Sequence, residues 1–175
     1  PGASSPIDMA TVGSTVMFLA NDGIHGSEPW RTDGTPSGTR LVLDITPDGN
    51  RSTNGDAIIG GTRIMAAGPI ADVELGRTRG TAGTTSRIKN IKASGSSDPY
   101  WMVAFGSTVY FGADDGVKGK ELWRTDGTPG GTKMVKDVRP GAVGSAPFWI
   151  VPVGDALYFT AADGIHGREL YKLGP

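Results

Sequence analysis

Residues 121–141 read E-L-W-R-T-D-G-T-P-G-G-T-K-M-V-K-D-V-R-P-G, and residues 28–48 carry nearly the same string, E-P-W-R-T-D-G-T-P-S-G-T-R-L-V-L-D-I-T-P-D. A degraded copy of the string starts at Glu74, and a shorter copy starts at Glu169. The glutamates that open these four strings are separated by 46, 47 and 48 residues. So steady a step is typical of tandem structural repeats. The sequence therefore predicts four copies of one small folding unit.

The repeat divides a single domain, residues 1–175, into four approximate units. These units are residues 6–52, 53–98, 99–146 and 147–175, and the last is truncated after its third strand. A unit of this size cannot bury both of its faces alone, so we expect neighbouring units to cover one another.

Each unit contains four short strand-like runs separated by turn residues. The clearest examples are Phe148–Val153, Ala156–Ala161, Glu121–Thr125 and Lys133–Val138, and Gly154-Asp155 is suited to a tight hairpin turn. Four antiparallel strands in about 47 residues have the size of one propeller blade. We predict an all-β fold, a β-propeller-like array of four-stranded antiparallel meander blades. An open β-solenoid stack is the alternative, because a repeat period does not distinguish a closed ring from an open stack.

The composition excludes several classes of protein. Glycine (28) and proline (12) are abundant among the 175 residues, which fits many tight turns between short strands. The net charge of −1 gives no basic surface for nucleic acid, and the chain has no cysteine for disulfides or thiol catalysis. No apolar run reaches the roughly 20 residues of a membrane helix. We expect neither a nucleic-acid partner nor insertion into a membrane.

The recurring glutamates and aromatic residues are predicted to be structural. A glutamate that follows a glycine loop can accept backbone N–H groups of that loop, or pair with a basic residue of the next blade. The aromatic residue two positions later is expected to pack between blades. The residues assigned these structural roles are Glu28, Trp30, Glu121, Trp123, Glu169 and Tyr171.

Alternating strand direction places the longer loops on one end of the units. These loops are residues 21–27, 114–120, 139–147 and 162–168. Loops on a rigid scaffold commonly carry recognition, so we predict that any ligand binds at this loop face. The candidate ligand-binding residues are Asp22, His25, Asp115, Lys118, Asp163 and His166. The carboxylates of Asp22, Asp115 and Asp163 are also candidate calcium ligands, since each lies beside a flexible glycine.

The strings E-L-W-R-T-D-G-T at 121–128 and E-P-W-R-T-D-G-T at 28–35 resemble the signature of the ELWxxDGT repeat family. The resemblance covers nearly the whole chain. It implies a secreted or surface-associated bacterial protein, often with many repeats, and it supplies no catalytic residues. The second copy departs from the signature, with Gly76 in place of the tryptophan and Arg79 in place of the aspartate.

Two classes of function remain open. The first is a non-catalytic surface or extracellular module for adhesion or protein binding, with lectin-like carbohydrate binding as one form of it. The second is a glycosidase or lyase on a propeller scaffold. Repetition favours the first, because active sites are usually single, and Lys118 replaces the histidine at the position of His25 and His166. The expected partners are other copies of the chain or further repeats of a longer chain, and a glycan or surface protein; calcium is the only candidate cofactor.

Overall fold

The computed structural model describes residues 2–46 and 55–174. The first sheet contains β1 (Ile7–Val12), β2 (Thr15–Asn21), β3 (Ser27–Thr32) and β4 (Arg40–Leu41). The second contains β5 (Asp56–Ile59), β6 (Thr62–Ala67), β7 (Glu74–Thr78) and β8 (Ser86–Lys89). The third contains β9 (Tyr100–Phe105), β10 (Thr108–Asp114), β11 (Lys120–Thr125) and β12 (Lys133–Lys136). The fourth contains β13 (Phe148–Val153), β14 (Ala156–Ala162) and β15 (Arg168–Leu173).

Every sheet is an antiparallel meander, because each strand pairs with the next one in sequence. The predicted all-β, antiparallel organisation is therefore confirmed. Two single-turn 3-10 helices, Ile70–Asp72 and Ala82–Thr84, interrupt the strands of the second sheet. Neither of these helices approaches the length or apolar character needed to cross a membrane, and the described residues contain no helix that does.

The turn between the third and fourth strands explains why T-D-G-T recurs. In the third sheet the hydroxyl oxygen of Thr125 accepts the N–H of Gly127 at 3.0 Å, and Asp126 Oδ1 accepts the N–H of Thr128 at 2.9 Å. Gly127 has a φ of 86°, which side chains with a Cβ rarely adopt. The Thr125 hydroxyl also lies 2.7 Å from that of Thr132, at the other end of the turn. The motif is thus a self-contained turn that fixes the hairpin.

The four sheets stack face to face along the chain. Their first strands meet in succession, since β1 contacts β5, β5 contacts β9 and β9 contacts β13. Phe111 and Trp123 of the third sheet pack with Ile64 and Leu75 of the second sheet in one apolar core. The opposite face of the third sheet packs in a second core against the fourth sheet, around Leu122. A sheet inside the stack is therefore covered on both faces.

The contact between the first and second sheets is built differently. Gly76 lies where the third sheet has Trp123, and a Cβ at Gly76 would meet the Cβ of Ala67 at 2.6 Å. Arg63 is fully buried, donates from Nη2 to Asp56 Oδ1 at 3.0 Å, and forms an ion pair with the same carboxylate, whose Oδ2 lies 2.9 Å from Nε. An ion pair with a carboxylate offsets part of the cost of removing the arginine charge from water. This ion pair lies within the second sheet, whereas the apolar contact between the first and second sheets is made by Val12, Met17 and Val42 with Ile58.

The three repeated aromatic residues lie in different surroundings. Trp123 is 7% exposed inside the core between the second and third sheets. Tyr171 stacks on Phe159 with a ring-centroid distance of 5.5 Å, within the core between the third and fourth sheets. Trp30 lies opposite Phe18 in the register of β3 and β2, on the outer face of the first sheet, and is half-buried. Position in the stack, rather than the local motif, sets the burial of these rings.

Candidate functional site

The antiparallel meander gives the stack two distinct ends. The loops after β2, β10 and β14 lie at one end, the loop face, together with the segments that join the second sheet to the third and the third to the fourth. The hairpin turns after the first and third strands of each sheet lie at the opposite end, which we call the turn face. The predicted ligand and metal residues belong to the loop face, whereas a cleft between the second and third sheets belongs to the turn face.

At the loop face, Asp22 organises the loop between β2 and β3. Its Oδ1 accepts the backbone N–H groups of Ile24 and His25, both at 2.9 Å, and its Oδ2 lies 2.7 Å from His25 Nδ1. These bonds favour the carboxylate, led by the His25 N–H, and lower the pKa of Asp22 to about 2. The same pair raises the pKa of His25, chiefly through the hydrogen bond to Asp22.

The equivalent loops of the third and fourth sheets repeat this geometry. Asp163 Oδ2 lies 2.7 Å from His166 Nδ1, and Asp163 Oδ1 accepts the His166 N–H at 2.8 Å. In the third sheet Asp115 Oδ1 accepts the N–H of Lys118 at 2.7 Å, while the Lys118 ammonium pairs with Asp137 at 3.2 Å. Each aspartate is thus committed first to holding its own loop.

Calcium binding stays a prediction. The oxygen atoms of Asp22 and Asp163 already accept hydrogen bonds from their loops, and these bonds would have to be replaced by an ion. Across residues 2–46 and 55–174 there is no group of three or more His, Asp or Glu side chains arranged to hold a metal. The described ligand set is therefore poorer than the several oxygens that Ca²⁺ prefers.

Glu28, Glu74 and Glu121 form a repeated buried site, and we call them the anchor glutamates. Each is fully buried. Glu121 accepts backbone N–H groups from Val138 and Arg139 at 3.2 Å and from Ser145 at 2.9 Å, as well as the Ser145 hydroxyl at 2.6 Å. The donors lie 17 to 24 residues further along the chain. An anchor glutamate therefore fastens the segment that joins its sheet to the next.

The other two anchors work in the same way. Glu74 accepts the N–H of Ile91 at 2.8 Å and the hydroxyl of Ser97 at 2.7 Å. Glu28 accepts the backbone N–H and the hydroxyl of Thr46, and burial raises its pKa although these bonds act in the opposite direction. The sequence predicted backbone N–H donors, but it placed them in the preceding glycine loop. The donors come instead from the joining segment, which only the folded chain brings within reach.

Glu169 is the fourth member of the glutamate series and differs from the anchors. It is exposed, and so is Leu170 beside it.

Gly144 shows what an anchored joining segment requires: it has a φ of 69°, and a Cβ there would come within 2.3 Å of the Lys120 nitrogen. The joining segment of the third sheet can lie flat against β11 only because this residue is glycine.

A cleft of about 530 Å³ opens at the turn face between the second and third sheets. Its volume falls within the range of small-molecule sites. Arginine and hydroxyl side chains line it together with one carboxylate, and the principal lining residues are Thr62, Arg77, Arg79, Ser86, Asp126 and Thr128. The two guanidinium groups give the cleft fixed, permanently charged donors that suit an anionic ligand.

Both arginines are held by neighbouring groups. Arg77 Nη1 donates to the carbonyl of Gly127 at 2.8 Å across the two sheets, and Arg79 Nε donates to the hydroxyl of Thr62 at 2.9 Å. Arg79 is exposed, so it is available to a ligand. Asp126 faces the same cleft, and its hydrogen bonds, above all from the Thr128 hydroxyl, lower its pKa. The cleft thus carries two cations and one anion.

Sequence reasoning missed this cleft. Arg79 stands where the first and third units have Asp33 and Asp126, so the second unit departs from the repeat signature at this position. In the structure the departure changes the sign of the charge at one wall of the cleft. The available signal was the substitution of a basic residue at an otherwise acidic repeat position.

The chain resembles solved structures, although no protein-family model and no curated protein matches it. A crystal structure of puromycin hydrolase superposes with a TM-score of 0.61 at 16% sequence identity, covering 97% of this chain and 26% of that chain. A mutant of puromycin hydrolase complexed with PGG gives a TM-score of 0.55 at 17% identity, covering 93% of this chain and 25% of that one. The computationally designed Ika8 protein gives 0.50 at 17% identity, covering 95% and 45%. The chain thus spans about a quarter of puromycin hydrolase, and these likenesses concern the fold alone.

Proposed function

We propose that this protein is a non-catalytic binding module built of tandem β-repeats, and that it holds an acidic glycan in the cleft between the second and third sheets. The observation that carries the proposal is the placement of Arg77 and Arg79 on one cleft of about 530 Å³. Guanidinium groups bind carboxylates in a fixed fork geometry. The neighbouring hydroxyls of Thr62 and Thr128 suit the hydroxyl groups of a sugar.

The architecture proposed for this module is that of propeller blades. The succession of contacts among β1, β5, β9 and β13 supports it, because the first strands of propeller blades surround a common axis. The ELWxxDGT resemblance supports membership of a tandem-repeat type that is displayed outside bacterial cells. Adhesion at a surface fits such a module, since one weak site on each of several displayed copies gains avidity when the copies bind together.

Calorimetric titration with oligosaccharides of glucuronic or galacturonic acid tests the proposed ligand class. We expect saturable binding that weakens as salt is added, and weaker binding of the matching neutral oligosaccharides. Arg79→Ala should reduce the affinity by about 10-fold or more, as expected for loss of one charge-assisted contact.

Arg87→Ala is the matched control for that experiment. Arg87 pairs with Asp72 at 2.6 Å and does not line the cleft, so its removal should leave glycan affinity unchanged. Equal affinities of the Arg79→Ala variant and the unmodified protein would contradict the proposed site. Release of new reducing ends from the oligosaccharide would contradict the non-catalytic assignment and favour a glycosidase or lyase.

Calcium at the loop face is a separate proposal with its own test. If Asp22, Asp115 and Asp163 bind Ca²⁺, saturating calcium should raise the melting temperature and EDTA should lower it, because a ligand of the native state stabilises that state. Superimposable melting curves in the two buffers would rule out calcium.

A further inference from the structure

We infer that the loop face rests on a lipid surface and inserts four single aliphatic side chains into its headgroup region. These side chains, which we call the aliphatic tips, are Ile24, Ile70, Val117 and Ile165. Such a contact is shallow and reaches one leaflet only, unlike the spanning helix that the composition argues against. The proposal does not depend on the cleft or its glycan, because the cleft lies at the opposite end of the stack.

Each of the four sheets carries one aliphatic tip in the loop that follows its second strand. The exposed fractions are 82% for Ile24, 52% for Ile70, 71% for Val117 and 82% for Ile165. Ile70 and Val117 belong to the second and third sheets, which have a packed neighbour on each face. Their exposure therefore results from their place in the loops and not from an uncovered sheet face. A side chain of the kind that usually fills a core is thus displayed once in every unit.

The second unit shows that this display does not follow from the repeated loop sequence. The loops of the other units read D-G-I-H-G at 22–26 and 163–167 and D-G-V-K-G at 115–119. The second unit has G-P-I-A-D at 68–72 and forms the 3-10 helix Ile70–Asp72 there. An exposed isoleucine is the feature that this different loop shares with the others, which indicates a role for the side chain itself.

Backbone hydrogen bonds fasten neighbouring loops to one another at this end of the stack. Ser97 joins the loop after β6 to the loop after β10, since its N–H donates to the carbonyl of Val73 at 3.0 Å and its carbonyl accepts the N–H of Asp114 at 2.9 Å. Ser145, which the third sheet anchors, joins the fourth sheet in the same way, because its carbonyl accepts the N–H of Ala162 at 2.9 Å. The loop after β6 thus belongs to the loop face, and the tips protrude from one connected frame.

The backbone N–H groups at three of the tips already have acceptors inside their loops. Asp115 Oδ1 accepts the N–H of Val117 at 2.9 Å and that of Lys118 at 2.7 Å. Asp22 and Asp163 make the same two bonds in their own loops. An N–H group without an acceptor resists transfer from water into an apolar region, because nothing there replaces its hydrogen bond to water. These loops can therefore lose water around the tips while the amides stay paired.

The form of this surface favours lipid over a protein partner. Glycine and charged residues flank the tips of the first, third and fourth units, so the apolar area is divided among single protruding side chains. The centre of a protein interface instead requires a closely packed patch with a complementary partner. Lipid is fluid and closes around each protruding side chain without such complementarity.

The charges around the tips favour an uncharged, zwitterionic lipid surface. Lys118 pairs with Asp137 at 3.2 Å, and Lys92 pairs with Asp114 at 2.8 Å. Both histidines of the loop face lie 2.7 Å from the aspartate of their own loop. Because these basic groups already have carboxylate partners, an anionic headgroup would have to compete with those partners. We therefore expect the aliphatic tips to dominate binding, and added salt to change it little.

Single-cysteine variants locate the contact, since the chain has no cysteine of its own. Val117→Cys and Val153→Cys each receive an NBD label, whose fluorescence rises and shifts to the blue when it leaves water. Val153 is the matched control, because it is 57% exposed and ends β13 at the turn face. Vesicles of phosphatidylcholine should produce the fluorescence change with the label at position 117 and leave the label at position 153 unchanged.

Co-sedimentation of unlabelled protein with the same vesicles measures the affinity. A double variant, Ile70→Ser with Val117→Ser, should partition onto the vesicles about 10-fold or more weakly, because it loses two of the four tips. Val117→Leu keeps an aliphatic tip, and Val153→Ser changes the turn face only, so both should bind like the unmodified protein. Circular dichroism spectra and melting temperatures of all variants should agree, which separates loss of lipid binding from loss of folding.

Three results would overturn the proposal. The first is an unmodified protein that does not bind phosphatidylcholine vesicles, which would leave the tips to a protein partner. The second is binding only to vesicles that also contain phosphatidylglycerol, with loss of binding in salt, which would indicate adsorption by charge. The third is equal partitioning of the double serine variant and the unmodified protein. Glycan binding is measured without vesicles, so its failure leaves these results unaffected.

Discussion

The third and fourth sheets carry almost the same residues and differ in what covers them. Glu121, Leu122 and Trp123 are buried, whereas Glu169 and Leu170 are exposed and Tyr171 is only half-buried. The third sheet has a neighbour on each face, and the fourth has one described neighbour, on the side of Tyr171. A repeat residue is therefore part of the core only where the next sheet covers it.

The largest expected effect concerns the tryptophans. Trp123→Ala should lower the free energy of unfolding by about 3–5 kcal/mol, because it empties a site in the core between two sheets. Trp30→Ala should lower it by less than half as much, since Trp30 lies half-buried on the outer face of the first sheet. Urea unfolding at a concentration where the chain is monomeric measures both. Equal losses would mean that the first sheet is covered in solution.

The second largest expected effect on stability concerns Glu121 and Glu169. Glu121→Gln replaces a carboxylate that accepts four hydrogen bonds with an amide whose NH₂ group cannot accept them, so we expect a loss of about 1–3 kcal/mol. Glu169→Gln at an exposed site should change the monomer by less than about 0.5 kcal/mol. Thermal and urea unfolding of the two variants should separate them. A neutral Glu121→Gln variant would contradict the anchoring role.

These glutamates show how far the sequence predicts the structure. The turn T-D-G-T is made by neighbouring residues, so the strands and their hairpins follow from local sequence. The donors to Glu121 begin 17 residues away, and sequence reasoning therefore assigned the carboxylate to the nearer loop. The local sequence predicts that the glutamate accepts backbone N–H groups. It does not predict that these groups belong to the segment joining two sheets.

The cleft and the tryptophans show the same limit. Trp30 and Trp123 occur in nearly identical strings, yet their burial differs because one faces outward and the other faces the second sheet. Arg79 lies in a cleft that is formed by turns of two sheets far apart in sequence. Such properties depend on the packing of one unit against another, which a repeat motif does not encode.

The smallest expected effect concerns the loops before β11 and β15. Asp163 raises the pKa of His166 above 6.5, chiefly through their hydrogen bond, and His166 in turn lowers the pKa of Asp163 below 3.8. The His166 contribution to stability is complete below pH 6.5 and fades as pH rises through its higher folded pKa; the Asp163 contribution is complete above pH 3.8 and fades as pH falls through its lower one. The loop should thus be most stable between these values.

Proton NMR of the His166 ring measures the pKa of this histidine and so checks the predicted shift. The His166 midpoint should lie above 6.5 and return to about that value in Asp163→Asn. Lys118 takes the histidine's place in the third sheet, so the loop before β11 contains no histidine ring and contributes no signal to this measurement. An unshifted His166 midpoint in the unmodified chain would contradict the hydrogen bond.

The comparison of the third and fourth sheets is tested most directly by two variants, Leu122→Ala and Leu170→Ala. Urea denaturation of the monomeric chain measures how much each variant lowers the free energy of unfolding. The two leucines occupy the same repeat position and are 1% and 69% exposed. We predict a loss of about 2–4 kcal/mol for Leu122→Ala and less than about 0.5 kcal/mol for Leu170→Ala. Equal losses at the two positions would contradict the stacked arrangement with an open fourth-sheet face.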